Sequence, residues 1–101
     1  MTADDARRLA LGLAGAVEQP HHELTSFRVG GKIFATMTPD GAALRIFVSS
    51  DEVRDQWVAA EPEAVAPLFW GGRRRGLAVT LAKAEPGWVE TLLRLSWQER
   101  C

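Results

Sequence analysis

The densest chemistry in the chain is the run Trp70-Gly71-Gly72-Arg73-Arg74-Arg75-Gly76. Three adjacent guanidiniums flanked by glycine can reach phosphate oxygens without a fixed side-chain geometry. An indole beside them can stack on a base or a sugar. The plainer reading is a solvated charge run next to a packed Trp, because the remaining chain supplies little positive field. Arg28, Lys32, Arg45 and Phe47 form a second group, basic residues around one aromatic, the combination that nucleic-acid platforms use. Ordinary surface pairing with Asp or Glu competes with that reading.

Other chemistries find less support. His21-His22-Glu23, with Glu18 nearby, contains metal-ligand types. Adjacent residues of an extended chain point apart, however, and a site needs three or four converging ligands. A serine or cysteine nucleophile needs a base and an orienting group. Ser49 and Ser50 are better placed to cap a helix, and no Gly-x-Ser-x-Gly or phosphate-loop motif occurs. Trp57, Trp88 and Trp97 fall on helical segments, where large aromatics belong to a core more often than to a ligand cage. No catalytic residue, metal site or cofactor is therefore expected.

The elements that position these residues must come from 101 residues, enough for one domain over residues 1–101 and one core. Composition is 47% hydrophobic and 25% charged, ordinary for a globular protein and too apolar for disorder. No apolar run has the length of a membrane span. Met1-Thr2-Ala3-Asp4-Asp5 lacks the basic start of a signal peptide, so a cytoplasmic protein is expected. The only cysteine, Cys101, cannot form an intrachain disulfide. The net charge of -1 argues against a wholly basic nucleic-acid binder and leaves room for a local patch.

Helical spacing of Ala6, Leu9, Ala10, Leu13 and Val17 predicts a first helix over residues 3–17. Thr2 and Asp5 form its capping box, and Pro20 ends the segment. Three strands follow, over 25–29, 32–37 and 42–48. Gly30-Gly31 forms a two-residue hairpin turn, and Thr38-Pro39-Asp40-Gly41 supplies the second turn. The first turn pairs Val29 with Lys32 and Phe27 with Phe34. A three-residue Pro39-Asp40-Gly41 loop pairs Thr36 with Leu44 and Phe34 with Ile46. Opposed residues share a face, so Phe27, Val29, Phe34, Leu44, Ile46 and Val48 are expected in the core. Arg28, Ile33, Ala35, Met37, Arg45 and Phe47 are expected on the other face. That second face is too apolar for full wetting, so a helix or a partner should cover part of it.

A second helix is expected from Ser49, with Glu52 completing a capping box and Val53, Trp57 and Ala60 on one face. Residues 61–75, with their prolines and glycine pair, read as irregular. A strand over 76–81 points Leu77, Val79 and Leu81 inward. Pro86 then opens a third helix with Trp88, Leu92 and Leu95 as its stripe and Val89 and Leu93 beside it. Tight turns make the strands antiparallel. The fold class is thus α+β, a two-layer sandwich of a mainly antiparallel sheet and helices, in the order helix-β-β-β-helix-β-helix.

Pro20-His21, Ser26-Phe27-Arg28-Val29-Gly30-Gly31-Lys32-Ile33-Phe34-Ala35, Thr38-Pro39-Asp40-Gly41, Trp70-Gly71-Gly72-Arg73 and the closing helix near Trp88 together resemble the MmcQ/YjbR family. The resemblance covers nearly the whole chain. It implies a fold similar to CyaY-like and secretion-chaperone-like α/β sandwiches, and DNA binding, the role in the family's usual label. One departure stands out. The family usually has a single basic residue, then Gly and an aromatic, after the Trp-Gly-Gly. Here Arg73-Arg74-Arg75 precede Gly76, and Leu77 follows. The expectation is a non-enzymatic DNA-binding protein using Trp70, Arg73, Arg74 and Arg75 in a basic loop, with Arg28 and Arg45. The alternative is a protein-interaction module, chaperone-like or homodimeric, using Ile33, Met37 and Phe47.

Overall fold

The computed structural model describes residues 1–70 and 72–101, with the backbone alone described for Trp70 and Arg74. The elements are α1 (Ala3–Leu11), β1 (Val17–His21), β2 (Leu24–Val29), β3 (Lys32–Met37), β4 (Ala43–Phe47), α2 (Asp51–Ala60), β5 (Val65–Trp70), β6 (Arg73–Thr80) and α3 (Pro86–Arg100). Six strands form one antiparallel sheet in the order β1-β2-β3-β4-β6-β5. Helix α3 packs over β3 and β4, α1 packs against α3, and α2 lies against β5 and β6. This is the α+β architecture expected from the sequence, with a further strand at each edge.

Both added strands carry proline. The first helix ends at Leu11 rather than Val17, capped by Gly12, and the chain turns before entering β1. Pro20 sits within β1 opposite Thr25. Pro67 sits within β5 opposite Leu77, in a stretch expected to be irregular. An edge strand has one side without a ladder partner, and that side tolerates the missing N–H of proline.

Two one-residue shifts reset the expected register. The Gly30-Gly31 turn holds as read, with φ of 58° and 80° and the pair Val29–Lys32. Beyond Arg28–Ile33 a β-bulge intervenes, and Phe27 meets Ala35 instead of Phe34. The second turn is also one residue longer than expected. Thr38 N–H donates to Ala43 O, and Thr36 pairs with Arg45 instead of Leu44. A one-residue slip exchanges faces. Ala35 and Met37 therefore belong to the core face, with Met37 only 2% exposed, while Thr36 moves to the second face. Phe34 stays fully buried because the bulge turns it inward beside Ala35. The second face consequently holds Ser26, Arg28, Ile33, Thr36, Arg45 and Phe47.

The core joins Phe27, Phe34, Leu44, Ile46, Leu77 and Val79 of the sheet to Val89, Leu92 and Leu93 of α3. Each large side chain buried in this way contributes about 1.5–3 kcal/mol. Ala6 and Ala10 of α1 are fully buried, and their small size suits the contact with α3. Two polar ties fix the closing helix. Ser96 Oγ donates to Phe34 O at 2.7 Å, meeting a buried carbonyl at the bulge. Trp97 Nε1 donates to Ala14 O at 2.9 Å. Trp57 and Trp88 pack against each other, with ring centroids 5.6 Å apart, and both lean on the core. The Thr2–Asp5 capping box forms as read. The cap of α2 is Ser50 rather than Ser49, and Ala60 is exposed.

Candidate functional site

Antiparallel pairing gathers particular strand ends. The start of β3, the end of β4 and the start of β6 lie together, with Phe47 opposite Gly76 and Val48 N–H donating to Arg75 O. Helix α3 brings its last residue, Arg100, to the same place. Lys32, Ile33, Phe47, Arg75 and Arg100 line a cleft of about 450 Å³ there. An adjoining recess of about 400 Å³ shares Phe47, Arg75 and Arg100, and adds Ser49, Arg54, Arg73 and Glu99 to its walls.

Local backbone features shape the cleft. Leu68 pairs with Gly76 and Phe69 with Arg74, so Arg75 is the extra residue of a second bulge. Gly76 lies so close to β4 that a Cβ there would fall 2.1 Å from Ile46 O. Only glycine lets β6 pass Phe47 at this distance. The Arg100 guanidinium sits over the Phe47 ring, 5.7 Å from its centroid, a cation–π arrangement.

The electrostatics are one-sided. Among the described residues Glu99 is the only carboxylate lining the recess, and it accepts hydrogen bonds from Ser49 N–H at 3.3 Å and Ser49 Oγ at 2.6 Å. Arg54 is 4% exposed and bonds Val48 O and Asp51. Among the described residues, Lys32, Arg73, Arg75 and Arg100 join no ion pair. The Nε atoms of Arg54 and Arg100 are buried without a hydrogen-bond partner among the described residues. A concave site rich in guanidiniums and poor in carboxylates suits an anion, and planar guanidiniums suit phosphate oxygens in particular.

Of the residues expected to bind, Arg75 reaches the cleft and the adjoining recess and Arg73 the recess alone, both from strand β6 rather than from a loop. Pairing with β5 places Arg73–Thr80 in a strand, although the residues up to 75 read as irregular. Arg28 and Arg45 lie on the second face of the sheet, where Arg28 Nε donates to Ser26 Oγ at 3.0 Å. Gly71 and the side chains of Trp70 and Arg74 lie outside the described residues. Arg100 was not singled out by the sequence, although it falls four residues after Ser96, on the same side of α3. The protein-contact reading loses Met37, which the register shift buries, while half-buried Ile33 and Phe47 line the cleft. His22 takes φ of 58° in the turn between β1 and β2, its ring edge-on to His21. Among the described residues, no group of three or more His, Cys, Asp or Glu side chains is placed to hold a metal ion. No described helix is long and apolar enough to cross a membrane.

Sheet, helices and strand-end cleft together define a two-layer α+β sandwich. The YjbR family model matches residues 11–99, and the chain belongs to the YjbR family. Among solved structures it is similar to Deinococcus radiodurans protein DR2400, a DUF419 domain. The two chains are 26% identical and superpose with a TM-score of 0.78 over 95% of this chain and 75% of that one. No curated protein matches the chain.

Proposed function

We propose that this protein binds nucleic acid without catalysing a reaction, and that the cleft between β3, β4, β6 and the end of α3 is its principal contact. The observation that carries the reading is the convergence of Lys32, Arg73, Arg75 and Arg100, none in an ion pair among the described residues, on one concave surface. A net charge of -1 does not oppose this, because among the described residues lining the two recesses one carboxylate, Glu99, stands against five cations, and association responds to the local field. Arg28 and Arg45 on the second face extend the same sign of charge beyond the cleft. DNA is the proposed nucleic acid, in keeping with the role suggested by the family resemblance.

Fluorescence anisotropy with labelled single-stranded and duplex DNA, at low and at physiological salt, tests the proposal. The expected result is micromolar or tighter binding at low salt that weakens as salt rises, because neutralised phosphates release counterions. Replacing Arg73, Arg75 and Arg100 with Ala should abolish most of it. Binding indifferent to both salt and these substitutions would overturn the proposal, as would no binding at low salt.

A further inference from the structure

We infer that the cleft accommodates one nucleotide unit carrying a terminal phosphomonoester, so that the protein recognises a phosphorylated strand end in preference to the interior of a duplex. This rests on the nucleic-acid reading above and makes it specific. Three features support it.

The first is size and shape. Recesses of about 400 and 450 Å³ have the volume of small-molecule sites, which span roughly 300–1,000 Å³. A continuous duplex backbone is convex and would meet only the rim. A single nucleotide can enter. The second is charge. An internal phosphodiester carries one negative charge, whereas a phosphomonoester carries about -1.5 to -2 at pH 7 and offers three acceptor oxygens. Lys32, Arg73, Arg75 and Arg100 provide more positive charge than one diester would balance. Arg100 also keeps a buried Nε donor without a partner among the described residues. The third is the aromatic. Phe47 lies in the wall common to both recesses, where a base attached to a bound phosphate could contact its ring. That contact needs an unpaired base, because paired bases stay in their own stack.

The test compares labelled single strands of one sequence with a 5′-phosphate, with a 3′-phosphate and with neither, alongside the blunt duplex. Unlabelled deoxyadenosine monophosphate and deoxyadenosine serve as competitors. A phosphorylated end should bind at least about tenfold tighter than the unphosphorylated strand, about 1.4 kcal/mol. The monophosphate should displace it and the nucleoside should not. Arg75→Ala should erase the advantage. Phe47→Leu should reduce affinity for the monophosphate while the thermal midpoint shows a folded protein. Equal, salt-sensitive binding of all the single strands would overturn end recognition and leave the nucleic-acid proposal standing. Binding of the monophosphate, read by calorimetry, to a protein that binds no strand would overturn both strand-end recognition and the nucleic-acid proposal. Absence of all binding overturns both.

Discussion

Along α1 and α3, Arg7, Arg8 and Arg94 each find a carboxylate within one turn, and Arg7 finds a second on β1. Arg7 meets Asp4 and Glu18, each at 2.8 Å, Arg8 meets Asp5 at 3.9 Å, and Arg94 meets Glu90 at 3.2 Å. At the end of the sheet the cations have other neighbours. Arg73 lies opposite Trp70 in the ladder, while Arg75 occupies a bulge. The difference follows from periodicity. A helix places residues three and four apart side by side, so alternating charges along the chain pair themselves. A strand sets a residue against whatever lies across the ladder, and across β6 that is an aromatic segment. The same residue type thus becomes surface solubility in one region and an uncompensated field in the other.

Exchanging the two sets is the strongest way to break this contrast. The variant R73A/R75A/R100A should lower affinity for single-stranded DNA about 100-fold at low salt. The variant R7A/R8A/R94A should stay within about twofold. Equal losses, read by anisotropy, would mean that only total charge matters. Next in size, Gly76→Ala should destabilise the protein by about 3 kcal/mol, since a methyl group would meet the backbone of β4. Its denaturant midpoint should fall, and DNA affinity should fall even where the protein remains folded. Arg54→Ala removes a donor from the buried Val48 carbonyl and should cost about 2 kcal/mol, against at most about 0.5 kcal/mol for Arg94→Ala. Denaturant titration of both separates a structural guanidinium from a decorative one.

The smallest effect concerns two exposed carboxylates. Asp5 is held below the ordinary carboxylate value of 3.8 chiefly by the Thr2 backbone N–H, and then by the Thr2 hydroxyl. Asp40 is held below it by the Ala42 N–H and then the Thr38 hydroxyl. A depressed folded value means the stabilisation is complete above the unfolded value and is lost as pH falls through the folded one. Thermal midpoints followed downward from about pH 5 should therefore drop below about pH 4. Asp40→Asn should make that drop shallower.

Local chemistry was legible wherever one short segment decided the outcome. The Thr2–Asp5 box, the Gly30-Gly31 hairpin and the inward Leu77 and Val79 all follow from neighbours in the chain. The edge strands were hidden because Val17–His21 has no apolar alternation and Pro67 disguises Val65–Trp70. The bulge at Phe34 was hidden for a deeper reason. Its burial beside Ala35, and the bond from Ser96 to its carbonyl, involve a helix sixty-two positions away. The candidate site was half visible. An arginine run announces Arg73 and Arg75, whereas Lys32 and Arg100 become its companions only through strand pairing and the docking of α3.

The bond between Ser96 and the bulge carbonyl also acts as a gauge. It fixes one point on β3 to one point on α3. From that point the chain counts two residues back to Lys32, and four forward, about one helical turn, to Arg100. The spacing of the two cations is thus set by residue number, measured from a common mark. A residue inserted in α3 between Trp97 and Arg100 would rotate the terminal guanidinium by about 100° and leave the Ser96 and Trp97 ties as they are. Cleft and core are in this sense separately adjustable: insertions or deletions in that last turn would retune the binding surface with the sandwich kept intact.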